Sequence, residues 1–156
     1  MRARIILVLV AIIAATAVAS AATAKARPAS TRPHSSRLTL LAPPGGTTTT
    51  IDLGKHGISP GDVFVTTDAP LRRPGSHTRA GRIDLIEIAM GKTRSSLSFT
   101  AELAHGTLQV QGTYNPNHPQ FTLPIVGGTG HYFGAHGAVT FNTGGGTPTL
   151  TFDILT

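Results

Sequence analysis

The sequence of 156 residues has no cysteine. A disulfide framework is therefore excluded, and so is a lipid-attachment cysteine behind a leader. An exported domain of this composition must hold together by its core and its hydrogen bonds alone. Charge is also scarce: Asp, Glu, Lys and Arg make up 13% of the chain, little for a soluble protein of one domain's length. Long apolar runs are confined to the start, MRARIILVLVAIIAATAVASAATAKA. There Arg2 and Arg4 precede an apolar stretch over residues 5–15, and small residues then fit A-x-A at Ala17-Val18-Ala19 or Ala22-Thr23-Ala24. That order is a secretory signal peptide, assigned to residues 1–24, and its apolar stretch is well short of the roughly 20 residues that span a bilayer. No second such run follows, so no stable membrane span is expected after cleavage, and the mature protein is expected to be secreted.

The formal charge of +6 raises nucleic acid as a partner, so its location matters. Arg2 and Arg4 leave with the leader. Lys25, Arg27, Arg32 and Arg37 lie in KARPASTRPHSSR, which has Pro and Ser but no apolar periodicity and is assigned to a basic, disordered tether over residues 25–37. From Leu38 onward seven basic residues face seven acidic ones. A nucleic-acid-binding domain would carry its excess on the fold, so no nucleic acid is expected.

Over residues 38–156 no helix of ordinary length is written, and the dominant period is two. Val63 and Val65 alternate in DVFVTTD, Leu97, Phe99, Ala101 and Leu103 in SLSFTAEL, and Leu108 and Val110 in TLQVQGTY. Phe121, Leu123 and Ile125 alternate in FTLPIV, Val139 and Phe141 in AVTFNT, and Leu150, Phe152 and Ile154 in LTFDIL. Each run has one apolar and one polar face, as antiparallel strands with one side on a core do. RIDLIEIAM is apolar on both faces and reads as a long central strand buried from two sides. TTTTIDL adds a strand, and LTLLA another. Turns fall at residues 54–61, 70–75, 91–92, 105–106, 115–119 and 144–148. Eight or nine short strands so connected give a sandwich or a closed barrel, and closure is favoured because the chain has few charges with which to blunt exposed edges.

The stretch GGTGHYFGAHG over residues 127–137 holds five glycines. A dinucleotide fingerprint needs G-x-G-x-x-G before a helix, whereas Gly128, Gly130 and Gly134 are spaced G-x-G-x-x-x-G and a strand follows. Without that helix no dipole holds a pyrophosphate. Such a density of glycine instead suits positive φ angles and close passage of backbones at a barrel corner. Neither an H-x-H pair nor a histidine–carboxylate pair at ligand spacing accompanies His105, His118, His131 and His136, so no metal site is assigned, and no cofactor is implied.

VGGTGHYFGAHGAV resembles the G-G-T-G-x-[FY]-x-x-A-x-G signature of the dirigent and allene oxide cyclase barrel superfamily, including its small secreted bacterial members. HGTLQVQGTY is similar to a strand of the cyclases at Gly106, Leu108, Val110, Gln111, Gly112 and Tyr114. SPGD (Ser59 to Asp62) resembles the family's Gly-Asp strand, DAPL (Asp68 to Leu71) the turn that follows it, AGRID a strand start, and TFDIL the closing strand. The resemblance spans roughly residues 51–155. It implies an all-β fold, an eight-stranded antiparallel β-barrel with an apolar cavity, and commonly a homotrimer.

Where dirigent proteins carry an arginine in this signature, the chain has His136, which suits hydrogen bonding to a phenol or general acid chemistry but equally a surface corner. The cyclases' pocket glutamate on the first strand is matched only by Asp52, and the place of their third-strand cysteine falls near Glu87. Glu87 is the leading candidate, being the only ionisable side chain between Leu85 and Ala89 of a strand otherwise apolar on both faces. There it acts as a proton-transfer group or ligand anchor, or else in a salt bridge to Arg82 or Lys92 on an outer surface. Asp84 is a weaker candidate of the same type, and Tyr114 and Phe99 are candidates to line the cavity, with core packing as the plainer role.

The function these residues favour is a binding barrel that holds a small apolar or phenolic ligand and directs the stereochemistry of its coupling or cyclisation. The alternatives are an isomerase or cyclase using a pocket carboxylate, and a structural barrel filled by its own side chains.

Overall fold

A computed structural model describes residues 34–156. The signal peptide and most of the tether lie outside these residues. The strands in chain order are β1 (Ser35–Leu41), β2 (Thr47–Ile51), β3 (Val63–Arg72), β4 (Arg79–Gly91), β5 (Arg94–Leu103), β6 (Gly106–Tyr114), β7 (Gln120–Gly128), β8 (His136–Asn142) and β9 (Thr149–Leu155). All pairings are antiparallel, in the order β1-β9-β8-β7-β6-β5-β4-β3-β2, and Leu41 of β1 lies opposite Arg72 of β3 to close the ring. β1 runs along β9, and β2 runs along β3. The two are successive halves of one staggered strand position, so the molecule is a closed eight-stranded barrel. Stagger of this kind is what closure of a sheet requires.

The two-residue period then sorts side chains into one interior and one exterior. Ile83, Leu85, Glu87 and Ala89 of β4 sit opposite Ala101, Phe99, Leu97 and Ser95 of β5, and these continue onto Leu108, Val110, Gly112 and Tyr114 of β6. Leu40, Leu108, Val110, Leu123, Val139 and Phe152 are all but completely buried on this inner face, each adding about 1.5–3 kcal/mol of burial. On the outer face, threonines pair across strands: Thr39 meets Thr151 and Thr122 meets Thr140, with hydroxyl separations of 3.4 and 3.1 Å, while Thr48 meets Thr66 at 2.9 Å on the side of the sheet that Phe64 and Leu85 share. Cross-strand pairs of this kind contribute about 0.2–1 kcal/mol each.

Three expectations change. β1 begins at Ser35, so residues 35–37 belong to the barrel and not to the tether: the β9 ladder continues to Leu155, and Arg37 pairs with Asp153 at 2.5 Å. DAPL is no turn. It lies inside β3, where a bulge between Thr66 and Ala69 puts Asp68 at φ 59°, and Arg79 binds the Asp68 carboxylate while Asp84 accepts the Asp68 N–H. Finally, β4 is the longest strand, yet only its odd-numbered side is internal. A single barrel has one inside, so Ile86, Ile88 and Met90 face outward at 48%, 41% and 45% exposure.

The glycine stretch is a barrel corner. After β7 the chain makes a single 3-10 turn at Gly130–Tyr132 and places Ala135 in the core before β8 begins. Thr129 and His131 donate to the carbonyls of Thr107 and His105, binding the corner to the start of β6. At Gly137 (φ +126°) an added Cβ would lie 2.1 Å from the Asp153 carbonyl oxygen, whereas at Gly134 (φ +74°) it would meet nothing within 4 Å. Gly137→Ala is therefore expected to cost about 3 kcal/mol and Gly134→Ala about 1 kcal/mol. Urea unfolding of the two variants checks the difference; equal losses would mean that strain alone, without the carbonyl clash, sets the glycine requirement.

Candidate functional site

Glu87 sits on the inner face of β4, opposite Phe64 on one side and Leu97 on the other. Two strands away, Tyr114 ends β6 on the same face, and its hydroxyl donates to Glu87 Oε1 at 2.7 Å. The second carboxylate oxygen makes no hydrogen bond among the described residues. The outer-surface salt bridge does not form: Arg82 lies on the opposite face of β4 and binds Glu102 at 2.7 Å and Asp68 at 3.7 Å. Glu87 instead faces a pocket of about 480 Å³ at one barrel mouth, lined also by Ile58, Phe64, Ala89, Gly91, Lys92, Ser95, Pro116 and Asn117. Asn117 donates from Nδ2 to the Lys92 carbonyl at 3.0 Å, fastening the loop after β6 to the turn after β4.

From Tyr114 onward the inner face carries a run of aromatic rings. Tyr114 stacks on Phe121 at 4.1 Å and Phe121 on Phe141 at 4.6 Å, and Phe99 meets Phe141 and Phe152 edge-on at 5.6 and 6.5 Å. This column belongs to the barrel core, with Phe99 and Phe152 buried and Tyr114, Phe121 and Phe141 packed against them. It also fixes the Tyr114 ring, leaving the hydroxyl as the polar tip of an apolar stack. Burial, and then the Glu87 carboxylate beside it, push the Tyr114 phenol above its usual ionisation range. Glu87 and Tyr114 thus form a hydrogen-bond acceptor and a protonated phenol side by side in a largely apolar recess. The pair can accept an O–H or N–H from a bound molecule and orient it.

The other candidates are not brought to this pocket. Phe99 is 4% exposed and belongs to the aromatic column. Asp84 is on the outer face, holding the Asp68 bulge through the 2.7 Å bond to its N–H. Asp52 follows β2 and lines a neighbouring hollow of about 180 Å³ with Thr50, Gly57, Ile58, Asp62 and Phe64. His136 starts β8 opposite Leu155, is exposed, and stands at the other end of the barrel, where β7 meets the beginning of β6. The placement of a side chain inside or outside turns on one step of register, which residue type does not reveal. Among the described residues no group of three or more His, Asp or Glu side chains is placed to hold a metal.

Asp62 is absent from the sequence-derived candidates, although it organises the mouth. It is 2% exposed, and its carboxylate accepts the backbone N–H groups of Leu53 at 3.0 Å and Ser59 at 2.6 Å and the Ser59 hydroxyl at 3.2 Å. These donors hold its carboxyl below the usual carboxylate range, the Leu53 and Ser59 N–H groups first. The available signal was an acceptor-only side chain directly after a loop with three glycines, whose N–H groups need partners.

The described residues form a closed antiparallel barrel with aromatic rings in its core and a carboxylate lining a pocket at one mouth. The family model for "Dirigent-like protein" matches residues 44–154, and the chain belongs to that family. No curated protein matches the sequence. Among solved structures, a pyocyanin demethylase is 20% identical with a TM-score of 0.68, the match covering 76% of this chain and 99% of the other. A pterocarpan synthase dirigent protein is 16% identical with a TM-score of 0.60, covering 80% and 94%. A Diels–Alderase from Streptomyces koyangensis is also 16% identical with a TM-score of 0.60, and there the match covers 78% of this chain and 63% of the other. At these identities the likeness is one of fold.

The half-buried Tyr114 phenol has a direct test. The chain has two tyrosines, so in a Tyr132→Phe background the absorbance titration reads Tyr114 alone. It is expected to ionise above the ordinary phenol value near 10. Adding Glu87→Gln should lower the midpoint without restoring the ordinary value, because burial remains. A midpoint unaffected by Glu87→Gln would remove the carboxylate from the site.

Proposed function

We propose that this protein is a dirigent-like binding barrel that takes a small apolar or phenolic molecule into the mouth pocket and directs the stereochemistry of its coupling or cyclisation. The observation that carries this reading is the Glu87 carboxylate, which lines the pocket and is held on one oxygen by Tyr114 at 2.7 Å, with no hydrogen bond to its open second oxygen among the described residues. A phenolic O–H donates to that open oxygen while its ring lies against Phe64, Ala89 and Pro116, so one face of the molecule is covered and the other stays open. Two of the structural neighbours are named for pyocyanin and pterocarpan, which supports a small ring-bearing ligand. The second reading, an isomerase or cyclase, rests on the same pair: Glu87 takes a proton from the ligand and Tyr114 holds the resulting charge in place by hydrogen bonding.

Two further elements belong to the proposal. The leader-like residues 1–24 support secretion, and the outward Ile86, Ile88 and Met90, with Ile51 of β2 at 46% exposure, support self-association as a homotrimer through this face. Light scattering of the purified protein is expected to give three chain masses, falling to one in Ile86→Lys/Ile88→Lys; a monomeric native protein would remove the trimer.

Binding is tested by calorimetric titration with simple phenols and their methyl ethers. Losing a hydrogen bond to a charged group costs about 1.5–3 kcal/mol, roughly ten- to a hundredfold in affinity. Glu87→Gln is expected to weaken phenol binding by that factor while leaving the ethers, already weak, unchanged. Equal affinity of phenol and ether for the native protein would count against Glu87 as the anchor.

A further inference from the structure

The loop between β2 and β3 is built as a tied stem with an untied tip. At the stem, Asp62 gathers the N–H groups of Leu53 and Ser59, so both sides of the loop end on one buried carboxylate. Its backbone is bolted to β4: Ala89 donates to the Asp62 carbonyl at 2.9 Å, and Gly61 donates to the Ala89 carbonyl at 2.8 Å. Gly54 lies so close to the Ser59 side chain that a Cβ would fall 2.0 Å from its hydroxyl oxygen, which closes the neck of the loop. Beyond the neck, residues 55–58 are all exposed and make no hydrogen bond among the described residues, and Gly57 has φ +93° with nothing near its missing Cβ. This is the anatomy of a compact Ω-loop.

At the tip, Ile58 is 76% exposed, an unfavourable place for a large aliphatic side chain, beside the polar tip residues Lys55 and His56. It nevertheless lines both the 480 Å³ mouth pocket and the adjoining 180 Å³ hollow, sharing Phe64 with each. An apolar side chain held over two hollows, on a tip with no bonds to break, gains burial by descending onto whatever fills the pocket.

We propose that residues 53–61 are the lid of the mouth pocket, that Ile58 is the side chain that closes on a bound ligand, and that Asp62 is the positioning residue that fixes the stem. The proposal rests on the mouth pocket being the ligand site. It assigns to Ile58 a part in affinity: it covers the ligand from the side opposite the loop that carries Pro116.

The absence of cysteine supplies the test. In an Ile58→Cys/Pro116→Cys variant the two introduced thiols are the only ones, and they join from different loops only when the tip crosses the mouth within the 4.4–6.8 Å Cα separation that a disulfide tolerates. The oxidised and reduced forms are each titrated with a fluorescent naphthol. The expected result is rapid cross-linking by a mild oxidant under native conditions, naphthol binding by the reduced form, and at least tenfold weaker binding by the cross-linked form. In parallel, Ile58→Ala is expected to weaken naphthol binding about tenfold with an unchanged melting temperature. No cross-link in the folded protein overturns the lid, whatever binds. A cross-link in a protein whose reduced form ignores naphthol upholds the lid and overturns the phenolic reading of the pocket. A cross-link that leaves naphthol affinity unchanged overturns Ile58 as the closing residue.

Discussion

Closure of the sheet at Leu41 opposite Arg72 is the constraint from which the remaining structure follows, because a closed ring has one interior and no alternative side on which to put a strand's second face. Once β1 has taken β9 as partner and β2 has taken β3, each side chain is committed to inside or outside by its place in the period of two. Glu87 goes inward for this reason. Its neighbours Ile86 and Ile88 go outward for the same reason, despite being the more apolar residues. A carboxylate inside a barrel is costly unless partnered, and the partner is at hand because Tyr114 occupies the same face two strands away and reaches it at 2.7 Å.

The interior is divided between packing and space. The rings of Tyr114, Phe121, Phe141, Phe99 and Phe152 are in successive contact and form part of the core. Around Glu87 the lining narrows to Phe64, Ala89, Ser95 and glycine, smaller or peripheral groups that leave the mouth hollow. The packed part holds the phenol of Tyr114 in place, and the hollow part is lined by the carboxylate. The outside is finished economically: the threonine pairs Thr39–Thr151 and Thr122–Thr140 supply cross-strand contacts without charge, consistent with a chain that has few acidic and basic residues.

Much of this is legible in the sequence, and the reasons are particular. Strands such as SLSFTAEL and TLQVQGTY alternate cleanly because one face of each is core, and the glycines of residues 127–137 mark a corner because Gly137 has no space for a side chain. Glu87 stands out because an ionisable group in RIDLIEIAM needs an explanation wherever it points. The remaining features are set by tertiary register, which leaves no local trace. Asp84 lies on the outer face and His136 at the end of the barrel away from Glu87, and Phe99 alternates like a pocket residue but sits within the aromatic column. The apolar outer side of β4 reads as a second buried face because sequence counts hydrophobic positions without knowing that a barrel offers them one interior. Asp62 escapes notice because its partners are backbone N–H groups of Leu53 and Ser59, which every residue but proline possesses.

The central claim is that the mouth over Glu87 holds a small molecule in the protein's own setting. Native mass spectrometry of the protein purified from its own host, followed by chemical analysis of whatever travels with it, tests this most directly. The account predicts a retained aromatic or other apolar compound that is lost in Glu87→Leu. An empty protein, or a compound retained equally by both, would contradict it and leave a barrel whose mouth serves no ligand through that carboxylate.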